Sequence, residues 1–260
     1  MKKFFVIGNP INHSLSPELH NFWLKKNSIN GSYGKIKLEE DDLKNFIQKL
    51  RKDEIHGINV TVPFKNKVIK YLDKLSLEVE KTGSVNTIYK NNEYIIGHNT
   101  DVAGFELGLR HSKINVLDKL IFIIGAGGVV PSIIYSLLNM GCKKIMLTNR
   151  TKEKTEEIKK IFKEIKIIKW GEIPDFDIVI NATSVGLKGD TLNLNFDVKN
   201  KIFYDVIYNP KETEFLKNAK IKGNKIENGK LMFIYQANQS FSIWNNVIPK
   251  IDEEVLKIIP

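Results

Sequence analysis

The chain has 260 residues, 42% of them hydrophobic, enough for a sizeable core or two medium domains. Its single cysteine, Cys142, excludes an intramolecular disulfide and fits a reducing compartment. The net charge of +10 is spread along the chain without a nucleic-acid-binding signature; anionic small ligands would gain from such a field, but charge alone decides nothing.

Met1 to Ile7 imitates the start of a signal peptide, but Gly8-Asn9-Pro10 breaks it well short of an apolar h-region. Nothing later approaches a membrane span, so a cytoplasmic protein without membrane partners is expected. Residues 4–8 read as a first strand and 9–16 as the loop after it. Ser16-Pro17-Glu18 predicts a helix start, with Ser16 as N-cap and Pro17 at the first helical position, running to Lys26. A strand at 32–38 and an amphipathic helix at 41–51 follow, the latter with Leu43, Phe46, Ile47 and Leu50 at helical spacing. Residues 57–62 form a short β-branched strand leading into Pro63-Phe64-Lys65 and a helix through Val68, Ile69 and Leu72. Residues 85–89 and 93–97 look like a hairpin turning at Lys90-Asn91-Asn92. Asn99-Thr100-Asp101 then opens a helix over 102–109. The alternation of strands and helices predicts an α/β fold with helices on the faces of a mixed or parallel sheet.

The stretch 120–128, Leu-Ile-Phe-Ile-Ile-Gly-Ala-Gly-Gly, organises the second half. Its apolar run suits a strand buried on both faces of a parallel sheet, and a nearly all-apolar helix over 129–140 follows, closed by Gly141. Gly125 permits a tight turn, and Gly127 lets backbone N–H groups approach a pyrophosphate at the helix N-terminus. Val130 replaces the third glycine of the usual fingerprint. The next strand, 143–148, ends in Asn149-Arg150-Thr151. An NAD-binding unit would place an acid near this strand end; here none stands, and Arg150 offers a planar cationic fork to a 2′-phosphate, with Thr151 as a helix N-cap. The pattern favours NADP. Further strands are expected at 166–168, 177–181, 202–206 and 225–226, then a helical region from about 231, broken near Pro249. The domain boundary is placed at 101: residues 1–101, completed by 237–260, and residues 102–236.

Several residues offer chemistry. Ser14 and Ser16 can both donate to a carboxylate beside a helix start, although capping alone would explain Ser16. Asn59 and Thr61 project to one side of a strand whose Val60 and Val62 project to the other, so buried polar groups there need partners. Lys65 and Asp101, facing one cleft, would give an ammonium oriented by a carboxylate, suited to proton transfer at a carbonyl or alcohol oxygen. Residues 181–186 and 205–210 close two strands of the second domain with turn-forming side chains, and 229–236 leads into the last helical region, where Gln236 could face a cleft.

Taken in order, these motifs resemble the shikimate dehydrogenase family over nearly the whole chain. The resemblance is carried by Gly8-Asn9-Pro10-Ile11 with His13-Ser14-Leu15-Ser16-Pro17, by Asn59 to Lys65, by Gly83-Ser84-Val85-Asn86-Thr87 and by Gly97 to Asp101. It continues through Gly125 to Gly128, Asn149-Arg150-Thr151, Asn181-Ala182-Thr183-Ser184, Asp205 to Tyr208 and Gln236-Ala237. It implies an N-terminal α/β substrate domain, an NADP-binding Rossmann domain, a C-terminal helix returning to the first domain, and an active site in the cleft between them. It also implies NADPH-dependent reduction of 3-dehydroshikimate to shikimate, on the route to chorismate and aromatic amino acids. By matching positions, Ser14 and Ser16 would hold the substrate carboxylate; Thr61, Asn86, Tyr208 and Gln236 would address the carboxylate or hydroxyls; Lys65 and Asp101 would be the catalytic pair. Gly125, Ala126, Gly127 and Gly128 would cradle the pyrophosphate, Asn149, Arg150 and Thr151 the 2′-phosphate, and Thr183, Gly229 and Met232 would lie on the nicotinamide side. Val129-Val130-Pro131-Ser132 and Lys230 depart from the usual residues. No metal is implied, and a homodimer is left open. The alternatives are a quinate/shikimate dehydrogenase with dual substrate or cofactor use, and a catalytically idle NADP-binding sensor.

Overall fold

The computed structural model describes residues 1–259. The chain divides into two units, Met1–Gly104 with Ile234–Ile259, and Phe105–Phe233. In the first, strands β1 (Lys2–Gly8), β2 (Gly31–Lys37), β3 (Gly57–Val60), β4 (Lys74–Leu75), β5 (Thr87–Asn91) and β6 (Tyr94–His98) make a six-stranded sheet in the order β2-β1-β3-β5-β6-β4. β1 runs parallel to β2 and β3, while β5 is antiparallel to β3 and β6, so the sheet is mixed. Helices α1 (Ser16–Lys26), α2 (Leu43–Arg51) and α3 (Leu77–Thr82) belong to this unit, and α4 (Thr100–His111) begins in it. The apolar stripe expected on α2 is the buried one: Leu43, Phe46, Ile47 and Leu50 pack with Ile7, Ile58 and Val60 of the sheet.

Three local expectations change. Ser16 is not the N-cap of α1. Leu15 occupies that position and makes no side-chain cap bond, while the Ser16 N–H donates to Ser14 Oγ at 3.3 Å. No helix follows Lys65. Phe64 and Val68 are both pulled into the core, and the chain around them makes successive turns (Phe64 N to Thr61 O, 2.9 Å; Tyr71 N to Val68 O, 2.9 Å), with only a 3-10 turn at Ile69–Tyr71. β-branched Val68 and Ile69 have little intrinsic drive to override that packing. The hairpin sits one to two residues later than its sequence pattern suggests, with Asn92 taking the left-handed turn position (φ 53°).

The second unit holds β7 (Leu120–Ile124), α5 (Val130–Asn139), β8 (Lys144–Thr148), α6 (Lys152–Ile161), β9 (Lys166–Ile167), β10 (Ile178–Asn181), β11 (Ile202–Asp205), α7 (Glu214–Ile221) and β12 (Lys225–Asn228). The sheet is all parallel, in the order β12-β11-β10-β7-β8-β9. Strand order reverses at β7, the switch point at which doubly wound sheets bind ligands beyond the strand C-termini. Ile121, Ile123 and α5 residues Ile133 and Leu137 fill one core layer, and Phe122, Phe176, Phe196 and Phe203 the opposite one, so β7 is apolar on both faces.

The division between the units falls within α4 and within α8 (Lys230–Asn245), and α9 (Glu253–Ile258) closes the described chain. From Ile234 onward α8 belongs to the first unit, where Trp244 lies against Gly57 and its Nε1 donates to Ile88 O at 3.1 Å. Among the described residues no helix is long and apolar enough to cross a membrane.

Candidate active site

In the first unit, Lys65 follows the end of β3 and its carbonyl accepts from Val85 N at 2.8 Å, which ties its backbone to the segment leading into β5. Asp101 stands in the first turn of α4, its N–H capped by Asn99 Oδ1 at 3.1 Å, where the helix dipole favours a carboxylate. Lys65 Nζ pairs with Asp101 Oδ2, and the two side chains are only 12% and 9% exposed. An ion pair so far removed from water is held by its hydrogen bonds, not diluted by solvent as a surface pair is. The other oxygen, Asp101 Oδ1, accepts from Asn86 Nδ2 at 2.9 Å. Asn86 Nδ2 also reaches Gln236 Oε1 of α8 at 3.4 Å, and its Oδ1 accepts from Thr100 N at 2.8 Å. Lys65, Asp101, Asn86 and Gln236 are thus one hydrogen-bonded group.

Ser14 and Ser16 lie together, with Ser14 Oγ donating to Ser16 Oγ at 3.2 Å. Burial pushes the Tyr33 phenol well above the usual tyrosine range, with Ser16 pulling the other way. That phenol donates to Asn59 Oδ1 at 2.7 Å. Asn59 Nδ2 in turn donates to Asn86 O (3.0 Å), Thr87 Oγ1 (3.1 Å) and Ser240 Oγ (3.0 Å). The demand for partners that the alternation of Asn59 and Val60 creates is met by this network, which runs from Tyr33 to Asn86. Thr61 is half-buried beside Gly8: a Cβ on that glycine would strike the Thr61 methyl. Nothing in the sequence pattern singles out Tyr33 or Ser240, because a lone hydroxyl carries no spacing signal.

In the second unit, Gly125 has φ +112°, and a Cβ there would lie 2.8 Å from Ala182 O, so only glycine fits. Over Gly127 the nearest atom to a Cβ would be Ala182 O at 3.8 Å, leaving the turn open, and Gly127 and Gly128 are exposed. α5 starts without a side-chain cap and without an acid in its first turn; Pro131 sits there as the sequence allows. A helix N-terminus left in this way, under an open glycine turn, fits a pyrophosphate. Beyond β8, Asn149 Nδ2 donates to Thr151 O at 2.9 Å, Arg150 is exposed with no carboxylate paired to it among the described residues, and Thr151 is the N-cap of α6 but makes no side-chain cap bond. These residues fit NADP. Thr183 is half-buried, its methyl close to Gly125. Gly229 is packed directly on Val206, leaving no room for a side chain, and Met232 is 6% exposed within the core. Tyr208 stacks on Phe233 with ring centres 4.5 Å apart.

An all-parallel doubly wound sheet with a glycine turn over a helix N-terminus, joined to a mixed α/β unit, defines a two-unit NADP-binding oxidoreductase. Residues 6–88 match the family model of the shikimate dehydrogenase substrate binding domain, and residues 108–188 that of shikimate / quinate 5-dehydrogenase. The chain is 54% identical to the shikimate dehydrogenase (NADP(+)) of Pelagibacter ubique over 99% of this chain and 98% of that one. Among solved structures, shikimate dehydrogenase from Aquifex aeolicus matches with a TM-score of 0.91 at 35% identity, covering 99% of this chain and 96% of that one. The Thermus thermophilus enzyme in complex with NADP(H) and shikimate matches at 0.90 and 28% identity, covering 100% of both chains. The chain belongs to the shikimate dehydrogenase family.

Proposed function

We propose that this chain catalyses the reversible, NADPH-dependent reduction of 3-dehydroshikimate to shikimate, with the first unit (Met1–Gly104 and Ile234–Ile259) binding substrate and the second (Phe105–Phe233) binding cofactor. The observation that carries the reading is the buried Lys65–Asp101 pair braced by Asn86, in a chain 54% identical to a shikimate dehydrogenase (NADP(+)). Bound NADPH supplies the hydride to the carbonyl carbon. Lys65 donates its proton to the carbonyl oxygen as the alcohol forms and is reprotonated from solvent; in the reverse direction the Lys65 amine accepts that proton. Asp101, fixed at both oxygens, keeps Lys65 aimed. Ser14 and Ser16 hold the substrate carboxylate, and Thr61, Asn86, Tyr208 and Gln236 address the carboxylate or hydroxyls, so that orientation is set before reaction.

On the cofactor side, Gly125, Ala126, Gly127 and Gly128 cradle the pyrophosphate, Asn149, Arg150 and Thr151 hold the 2′-phosphate, and Thr183, Gly229 and Met232 line the nicotinamide side. A cytoplasmic setting belongs to the same reading; the half-buried Cys142 thiol, pushed up to about 11 by burial, is a poor candidate for oxidation there. The test is to follow loss of reduced-cofactor absorbance with purified protein, offering 3-dehydroshikimate or 3-dehydroquinate, each with NADPH or NADH. Fastest turnover is expected for 3-dehydroshikimate with NADPH. A preference for 3-dehydroquinate would move the substrate assignment to quinate, and no turnover with any pair would leave a cofactor-binding protein without this activity.

A further inference from the structure

Asp205, at the C-terminal end of β11, is fully buried, and no step of the reaction above uses it. Its carboxylate accepts three hydrogen bonds: Oδ1 from Ile207 N (3.0 Å), Oδ2 from Asn181 Nδ2 (3.1 Å) and from Thr213 Oγ1 (2.7 Å). Asn181 lies directly across the parallel ladder from Asp205 and ends β10. With its NH2 turned toward Asp205 and toward Val185 O (3.2 Å), its Oδ1 is left to face Thr183, where it accepts from both Thr183 N (3.1 Å) and Thr183 Oγ1 (2.7 Å). Thr183 Oγ1 then accepts from Val185 N at 3.1 Å. Every donor and acceptor in this relay has its direction fixed by the carboxylate at its origin, because an ionised carboxylate can only accept. The loop so ordered is the one whose Ala182 carbonyl and Thr183 methyl bound the glycine turn at Gly125.

We propose that Asp205 is a positioning residue for NADPH: through the Asn181 amide it sets the orientation of Thr183 and the shape of the 182–185 loop against the glycine turn. The inference rests on the reading that Thr183 and the glycine turn bind the cofactor. Burial pushes the Asp205 carboxyl up to about 6, against the pull of its three donors, so it is mainly ionised near neutral pH. An asparagine at 205 would present an NH2 to at least one of three donors. If Asn181 flips to meet it, its own NH2 then faces the Thr183 N–H, and the loop must move.

The test compares Asp205→Asn, Thr213→Val and Thr183→Ala in the full chain, reading NADPH dissociation constants by cofactor fluorescence together with Tm. Thr213→Val removes one donor to Asp205 and the cap that Thr213 Oγ1 provides to Leu216 N (3.4 Å), but leaves the relay to Thr183 intact. The expectation is about tenfold weaker NADPH binding in Asp205→Asn, against less than about twofold in Thr213→Val, with Tm lowered in both. A general charge effect has the opposite sign, since removing a negative charge favours an anionic cofactor. If Asp205→Asn lowers Tm and leaves NADPH affinity at the parent's value while Thr183→Ala weakens it, Asp205 is merely structural and the cofactor reading stands. If Thr183→Ala also leaves affinity unchanged, the cofactor reading of this loop falls, and the inference with it. Should Asp205→Asn not fold, Asn181→Ala interrupts the same relay and is expected to weaken NADPH equally; parental affinity in that variant overturns the proposal.

Discussion

Asn86 and Lys65 hold opposite oxygens of one carboxylate: Asn86 Nδ2 lies 2.9 Å from Asp101 Oδ1, and Lys65 Nζ pairs with Oδ2. The Asn86 amide is itself fixed, because its Oδ1 accepts from Thr100 N at 2.8 Å and so its NH2 must face Asp101. Asp101 therefore cannot rotate to follow a moving ammonium. Lys65 has one place to point, and on the proposed mechanism that place persists while its proton leaves and returns.

The first prediction follows from that rigidity. Lys65→Ala should cut kcat by about 10²–10⁴-fold, the usual contribution of a general acid, with NADPH affinity near the parent's. Asp101→Asn should also impair turnover, and the double variant should be little worse than the worse single one, because the pair acts as a unit. Rates at saturating substrate decide it: a folded Lys65→Ala enzyme within about threefold of the parent would take Lys65 out of the mechanism.

Arg150 carries the second. It is exposed at the end of β8 with no acid beside it, so its charge is available to a 2′-phosphate. Arg150→Ala should weaken NADPH on the order of tenfold or more, as loss of a charge-assisted hydrogen bond would, and leave NADH nearly unchanged. Steady-state constants for both cofactors check this. An unaltered NADPH-to-NADH preference would remove Arg150 from cofactor selection.

Much of the architecture is legible in the sequence because it is written in periodicity. The stripe Leu43, Phe46, Ile47 and Leu50 has helical spacing, the apolar run before Gly125 is short, β-branched and closed by glycine as a strand is, and both fall where the pattern puts them. The segment after Lys65 reads as helix in the sequence because Val68, Ile69 and Leu72 are spaced as a helix would space them. Tertiary burial of Phe64 and Val68 decides that segment instead. α3 and β4 have no pattern to announce them, being six and two residues long. In the candidate site, polarity at Asn59 signals a need for partners without naming them. Tyr33, Thr87 and Ser240 come from distant parts of the chain, and only the fold brings them to it.

A third prediction concerns the serine pair. Since Leu15 and not Ser16 occupies the cap position of α1, removing the Ser16 hydroxyl costs no helix cap, only its bond to Ser14. The Ser14→Ala/Ser16→Ala variant should therefore stay folded, losing about 1–3 kcal/mol for the buried bonds, while its KM for shikimate rises sharply. Comparing shikimate with its carboxamide isolates the carboxylate. Equal discrimination by parent and folded variant would show that these serines do not read it.

The last prediction is about acid. His20 of α1 is 1% exposed, stacked on Tyr33 with ring centres 4.2 Å apart, and neither ring nitrogen has a hydrogen-bond partner among the described residues. Burial pushes its pKa from 6.5 down to about 3, so the folded protein keeps it neutral where the unfolded chain protonates it. A depressed folded-state pKa means stability that is fully present above 6.5 and is lost as pH falls from 6.5 toward 3, at up to about 1.4 kcal/mol per pH unit. Asp205 works the other way. Its carboxyl, raised from 3.8 to about 6, favours the fold increasingly as pH falls through that window. The two slopes oppose each other in the parent, so the parent alone cannot separate them. His20→Phe keeps an aromatic ring against Tyr33 and leaves Asp205 untouched, so the difference between parent and variant isolates the histidine. Between about pH 6.5 and about pH 5 the parent should lose about 2 kcal/mol relative to His20→Phe in urea denaturation. Parallel stability–pH curves for the two proteins would mean that His20 binds its proton in the folded state as readily as in the unfolded one, and that the aromatic packing around it opens to water.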